Sequence, residues 1–429
     1  MSERKADVVS TSRRNFLKGS AALGGGLAIG FPLSEAFGQA QGAAGVVPEA
    51  NAWVIVRPDD TVIIRYARAE MGQGSMTSAP MLVAEELDCD WRKVKVEYAL
   101  ANDQVRRKRV WGDMAAVGSR TIRNSQEYLR KAGASAREML VTAAAERWKV
   151  SASECVAANS IITHTPSGRK VSFGQVALAA AKVEPPKEPK LKDPKDWKII
   201  GKPIRRVDIP DTVLGKQRYG IDAQLPGMLY ASIAMCPVFG GKVKSFDAAK
   251  IQGKRGIKKV MTVDDNTAVV VVADNWWRAH QALKEMPIEW DGGENAKISS
   301  ASIMEFFRGG LAQSDVAVAK AAGNIEQGMA GAAKTVEAEY FTPYLAHVTM
   351  EPQVATALIK GGRVDVWTST QNPEATLAAA AGVAGVPLEN VYVHPMQLGG
   401  GLGRRGAQEF TRQAVQIAKA MEGTPVKLL

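Results

Sequence analysis

Three glycine-rich turns, each lying just ahead of a helical segment, constrain this chain more than any other feature. They are Met71-Gly72-Gln73-Gly74, Gly118-Ser119-Arg120 and Gly399-Gly400-Gly401-Leu402-Gly403-Arg404-Arg405. The first and third also follow an apolar, strand-like run, so the sequence reads as repeated strand–turn–helix units, a mixed α+β or α/β fold. Such a turn brings bare backbone N–H groups close to an anion, and the following helix N-terminus adds favourable potential. Each taken alone also reads as a tight turn. The last turn does not have the GxGxxG spacing, because Leu402 falls between glycines and no acidic ribose partner follows at the usual distance. A nicotinamide or flavin dinucleotide site is therefore disfavoured.

The surrounding pattern supports that reading. Trp53-Val54-Ile55-Val56 and Thr61 to Tyr66 form two strands about the turn Pro58-Asp59-Asp60, and Thr77 is a candidate N-cap for a helix through Leu87. Val94 to Tyr98 alternates like a strand, and a long helix runs from about Ser125 to Trp148 with Leu129, Ala132, Ala136, Met139, Leu140 and Ala143 on one face. Residues 182–206 hold five prolines, seven lysines and two arginines and read as an extended linker with a solvated charge run. Tyr219 to Trp290 reads as a compact α+β domain with a helix at Trp276 to Lys284, followed by a polar connection from Ala296 to Ala333. A final α/β segment from near Thr335 is expected to hold strands at Val364 to Thr368 and Val391 to Val393, a helix at Glu374 to Gly382, and a last helix through Phe410, Ala414, Ile417 and Met421.

Composition narrows the chemistry. The formal charge of +11 is scattered, with no basic stripe interleaved with aromatics, which argues against nucleic-acid binding. Cys89, Cys155 and Cys236 are far apart, and with no CxxC or CxxCH they neither hold an iron–sulfur cluster nor attach c-type haem; they read as small buried hydrophobes. At the N-terminus, Ser12-Arg13-Arg14-Asn15-Phe16-Leu17-Lys18, followed by a short glycine-rich apolar stretch to Phe31, reads as a twin-arginine export signal ending near Ala40. That pathway carries folded proteins, which points to a cofactor inserted before export into the periplasm.

Met71-Gly72-Gln73-Gly74, His347-Val348-Thr349-Met350-Glu351-Pro352, Ser369-Thr370-Gln371-Asn372-Pro373 and the 399–405 loop, in that order, resemble the molybdopterin-binding large subunit of the xanthine dehydrogenase and aldehyde oxidase family. The branch most similar is the exported isoquinoline 1-oxidoreductase type. The resemblance implies molybdopterin-binding domains with an α/β hammerhead domain. On this chain it divides into a signal at 1–40, a GQG-type molybdopterin-binding segment at 50–180, a linker at 181–210, a hammerhead domain at 211–295, a connection at 296–333 and a molybdopterin-binding domain at 334–429.

Carried over residue by residue, the resemblance implies that Gln371 approaches the molybdenum oxo group, that Leu402 and Gly403 offer backbone N–H at the metal, and that Gly72, Gln73, Gly74, Gly118, Ser119 and Arg120 hold the pterin or its phosphate. Gly400, Gly401 and Arg404 complete the cofactor set, and Arg405 faces either phosphate or solvent. From the residues themselves, Gln371 reads equally as a satisfied polar group at the start of the next helix. His347 and His394 read as hydrogen-bonded histidines on strand edges, and Glu351 as a loop-ordering residue. A pterin dithiolene supplies the metal's sulfur ligands, so no protein ligand is needed.

The implied reaction places water-derived oxygen on an aldehyde carbon or on a carbon beside a ring nitrogen, with a glutamate as base. Electrons would leave through a small ferredoxin-like iron–sulfur subunit, with a c-type cytochrome as a further partner and membrane association through these partners. The cofactor is expected as molybdopterin, including its cytosine dinucleotide form. The family's glutamate motif is absent from this chain. Two readings stay open: a second polypeptide supplies the base and the C-terminal half, or the chain is a truncated cofactor-binding module that does not turn over alone.

Overall fold

The computed structural model describes residues 49–429, and the twin-arginine segment lies outside the described residues. These residues form two compact units: one ends at Tyr230 and resumes at Thr349, and the other spans Ala231–Val348.

The first unit opens with a four-stranded sheet, β1 (Glu49–Asn51), β2 (Val54–Val56), β3 (Val62–Tyr66) and, beyond helix α1 (Ser75–Leu87), β4 (Val94–Tyr98). β2 and β3 are antiparallel, with Val54 opposite Ile64, as their tight turn requires. β3 and β4 are parallel, with Val62 opposite Val94, so α1 is the crossover of a βαβ unit and the Gly72–Gly74 loop sits at the carboxyl end of β3. All five residues of β3 are buried, and its apolar side chains pack with Leu82, Val83 and Leu87 of α1 and with Leu129, Met139 and Leu140 of α2 (Gln126–Trp148). The two helices approach so closely at Gly133 that a Cβ there would lie 2.2 Å from the Val83 carbonyl oxygen. A small three-stranded sheet, β5 (Cys155–Ala158), β6 (Ile161–His164) and β7 (Lys170–Ser172), follows with helix α3 (Phe173–Ala180).

Two sequence expectations need correcting here. Thr77 is not the N-cap: α1 is capped three residues earlier, by Gly74, so Pro80 lies inside the helix, and the Thr77 hydroxyl accepts from the Val207 amide at 2.9 Å. Nor is the 182–206 segment merely a solvated charge run. It is strapped across α1 and α2 by two carboxylates with almost no exposed surface, Glu85 and Glu86. Glu85 accepts from the backbone amides of Lys198, Ile199 and Ile200 at 2.8, 2.6 and 3.1 Å and from Lys192 Nζ at 3.0 Å. Glu86 accepts from Arg130 Nε at 2.8 Å and the Lys192 amide at 2.9 Å. Buried carboxylates without such donors would be prohibitively costly, so strap and helices fold as one.

The second unit holds β8 (Leu229–Met235), β9 (Lys242–Phe246), the hairpin β10 (Ile257–Val263) and β11 (Ala268–Ala273), helix α4 (Trp276–Glu285) and β12 (Ile288–Asp291). β9 pairs with β12, and the fully buried β11 packs Val269 and Val271 against Ala279, Ala282 and Leu283 of α4. Helix α5 (Ser300–Leu311) and the chain beyond it bury no large side chain, leaving Phe306, Leu311, Tyr340 and Leu345 exposed. The expected α/β segment near Thr335 therefore begins later: residues 335–350 form no strand or helix, and His347 is exposed on irregular chain rather than on a strand edge.

Back in the first unit, β13 (Ala355–Lys360) pairs antiparallel with β14 (Arg363–Thr368). Helix α6 (Pro373–Ala384) then crosses over to β15 (Val391–Pro395), parallel to β14, with Val364 opposite Val391. This second βαβ unit puts Gln371 at the carboxyl end of β14. Helix α7 (Glu409–Ala420) covers it, and β16 (Val426–Leu428) pairs with β13. His394 does sit on a strand, its Nε2 donating to Asp365 Oδ1 at 2.8 Å and its ring stacked on Trp367.

Burial pushes the Glu85 carboxyl up, but the amides of Ile199, Ile200 and Lys198 and the Lys192 ammonium together hold it below its ordinary value. A depressed folded-state pKa contributes stability above the unfolded value and loses it as pH falls through the folded one. Glu85→Ala is expected to lower unfolding stability by about 3 kcal/mol at neutral pH. Urea midpoints of the variant and the parent should draw together as pH falls through the lowered titration range of Glu85. A difference that stays constant with pH would contradict this assignment.

Candidate functional site

Both βαβ units deliver their first loop to the same place, at strand carboxyl ends, where open α/β sheets bind ligands. The third loop, 399–405, follows β15 and closes on the other two. The Leu398 amide donates to the Glu70 carbonyl, and a Cβ on Gly401 would lie 2.6 Å from Met71 Sδ and 2.8 Å from Gln371 Oε1. Only glycine permits that approach.

Gln371 is the point of convergence. It is 2% exposed, its Nε2 donates to the Ala116 carbonyl at 2.9 Å, and its Oε1 accepts from the Gly403 amide at 3.0 Å. Its backbone is tied as well, donating to Arg405 O and accepting from the Ala116 amide. Both ends of the carboxamide are thus committed to backbone, and what the side chain does directly is lock the 113–120 and 399–405 segments together. The helix cap beside it belongs to Asn372, whose side chain accepts from the Ala375 amide at 3.1 Å.

The three loops use their amides differently. In the first, Gly72 and Gly74 both donate to Glu70 Oε1 at 2.9 Å, and Met76 donates to Oε2 at 2.7 Å. These N–H groups face a fully buried carboxylate of the chain itself rather than an outside anion. The Gln73 carboxamide folds back, accepting from the Met71 amide and donating to Ala69 O and Ser75 Oγ. In the second loop, Gly118 and Ser119 are exposed and both left-handed, and their amides meet no acceptor among the described residues. Arg120 is set beside them by Asp113, which also pairs with the buried Arg68 at 3.1 Å. In the third loop, the amides of Gly400, Gly401 and Leu402 meet no acceptor among the described residues. Leu402 is left-handed at φ 55° and 70% exposed, an arrangement a bulky side chain adopts only where the surroundings impose it.

What imposes it is the pair Glu351–Arg405. Arg405 has no exposed surface; its Nε donates to Gly400 O at 2.8 Å, its Nη2 to Glu351 O at 2.6 Å, and Nη2 lies 3.1 Å from Glu351 Oε2. The Glu351 carboxylate in turn accepts from the amides of Gly399 and Ile221 and from Ser369 Oγ. Burial lowers the Arg405 pKa, against the pull of Glu351. Arg405 therefore faces neither phosphate nor solvent, and Glu351 orders the loop, as its position beside Pro352 had suggested. Arg404 turns to Glu409. Sequence reasoning missed Glu70, Arg68 and Asp113; Glu70, directly ahead of the glycine loop, was the signal available. Cys236 is half-exposed rather than buried, whereas burial pushes the Cys89 thiol up to about 12.

Comparison with known proteins defines the class. Two family models, each described as a molybdopterin cofactor-binding domain, match residues 2–208 and 311–429. The two matches together cover most of the chain, which is therefore built of molybdopterin cofactor-binding domains. It is 29% identical to the membrane-bound aldehyde dehydrogenase [pyrroloquinoline-quinone] of Gluconacetobacter polyoxogenes, over 99% of this chain and 56% of that protein. It is also 29% identical to the isoquinoline 1-oxidoreductase subunit beta of Brevundimonas diminuta, over 99% of this chain and 59% of that protein. The crystal structure of quinoline 2-oxidoreductase from Pseudomonas putida 86 matches 54% of this chain and 34% of its own, with 20% identity and a TM-score of 0.44. The chain thus spans between half and two thirds of the length of these two curated relatives.

The residues fit such a cofactor. The free amides of 400–402 and 118–119 suit an anionic acceptor.

Arg405→Met is expected to destabilise the first unit by about 3–5 kcal/mol, because it strands Glu351 without a cation. Adding Glu351→Gln should recover part of that loss in urea unfolding; strictly additive losses would mean that the pair is not coupled.

Proposed function

We propose that this chain is the cofactor-holding part of an exported molybdenum-pterin oxidoreductase that oxidises aldehydes or N-heterocycles and passes electrons to a small iron–sulfur subunit. The observation that carries the reading is that the buried carboxamide of Gln371 ties the 113–120 segment to the 399–405 loop, with Met71 of the first glycine loop set against Gly401 of the third.

Bound there, a molybdenum pterin supplies two-electron chemistry and an oxygen-transfer centre. The chain's own part is positional. Amides at Gly118, Ser119, Gly400, Gly401 and Leu402 donate to the pterin or its phosphate, in the cytosine dinucleotide form as well, and Arg120 and Arg404 add charge nearby. Gln371 keeps the two loops at fixed spacing, so the donors are set before the cofactor arrives. The proton-accepting glutamate that the family resemblance implies belongs to the part of the relatives that this chain does not span. A c-type cytochrome is a suitable final acceptor of the electrons.

One relative's name carries pyrroloquinoline quinone rather than molybdopterin. The two family models and the isoquinoline relative favour molybdopterin. The protein purified with its neighbours should carry on the order of one molybdenum per chain and release an oxidised, fluorescent pterin on denaturation. Recovery of a quinone and no molybdenum would replace this reading. A loaded complex inactive on every aldehyde and N-heterocycle tried would favour a non-catalytic cofactor-binding module.

Export through Arg13 and Arg14 brings the protein to the periplasm, where its partners can associate it with the membrane. Replacing both arginines with lysine should leave the chain and any signal-less partner in the cytoplasm on fractionation. A chain still recovered in the periplasm would sink the export assignment.

A further inference from the structure

We infer that Arg206, at the end of the Pro/Lys-rich strap, is the positioning residue of the Gly72–Gly74 loop. This rests on the reading that the loop faces the cofactor. The loop needs a device of this kind, because Gly72 and Gly74 are both left-handed, at φ 107° and 80°, and the tip at Gly72 and Gln73 is exposed. Its amides are drawn inward to Glu70, which leaves the Gly72 carbonyl on the other side, and that carbonyl accepts from Arg206 Nη1 at 2.7 Å.

The same guanidinium reaches Glu70 Oε1 at 3.4 Å through Nη2 and grips Asp208 twice, Nε to Oδ1 at 3.0 Å and Nη2 to Oδ2 at 2.5 Å. Its stem lies against the loop, with Cδ 3.6 Å from where a Gly74 Cβ would stand. The next residue is fixed independently by the Val207 amide on Thr77 of α1. Glu70 and Asp208 are both buried, so Arg206 is a forked cation shared by two carboxylates and one carbonyl, geometry an ammonium cannot reproduce. The strap held by Glu85 and Glu86 thereby ends as a clamp on the loop.

The test compares Arg206→Met and Arg206→Lys with the parent by amide hydrogen exchange and by pterin content per chain. Arg206→Met should speed exchange at Gly72 and Gly74 by about tenfold or more while β3, α1 and β14 keep their protection. Arg206→Lys should give a smaller local loss. Parent-like exchange in Arg206→Met overturns the proposal, as does a uniform loss of protection in both variants, which would mark Arg206 as a general stability residue. If Arg206→Met does not fold, Arg206→Lys decides: parent-like loop exchange there overturns the forked grip. A loosened loop with undiminished pterin upholds the positioning role and instead removes this loop from the cofactor's contacts.

Discussion

Everything at the meeting of the loops depends on one buried ion pair. Arg405 is a guanidinium with no access to water, and Glu351 is the carboxylate that makes its burial tolerable. Neither group would be stable there alone, and together they must still fill their remaining hydrogen-bonding capacity. They do so with backbone: Gly400 O, Glu351 O, and the amides of Gly399 and Ile221. Satisfying the charges thus fixes the path of the 399–405 loop, and the loop then holds Leu402 in a conformation it would otherwise avoid. The strain at Leu402 and the burial at Arg405 are one arrangement seen from two sides.

The remaining two loops are tied in by carboxylates and carboxamides, beside a small apolar cluster of Ala69, Ala116 and Leu398 with Met71 packed against it. Glu70 gathers the first loop's amides, Gln371 bridges the second and third, and Asp113 sets Arg120 beside the second. The apolar cores lie below, under the sheets. This division suits a binding surface: polar groups give direction, which dispersion and burial do not, while the cores give most of the stability.

Much of the fold was legible because its signals are local. The β2–β3 hairpin, the long helix ending at Trp148 and the strands flanking Gln371 all follow from periodicity and turn residues close in sequence. What failed was contact between distant residues. Nothing in the pattern around Lys190 to Ile200 says that its backbone amides meet Glu85, more than a hundred positions earlier. The strands expected at Val364 to Thr368 and Val391 to Val393 did form, and only the start of that segment differs, since residues 335–350 form no strand or helix. Gln371 was recognised as important, but its commitment to Ala116 and Gly403 lay beyond sequence reasoning, as did the inward turn of the Gly72 and Gly74 amides.

The strap has a further consequence. Most of its anchoring runs through main-chain N–H and C=O groups, with Lys192 the chief side chain involved. A segment recognised by its backbone tolerates nearly any side chain that permits the same path, prolines included. Its lysines other than Lys192 are therefore free to drift, and with them part of the protein's excess positive charge. Surface charge and cofactor geometry can then evolve independently, although both run through the same stretch of chain.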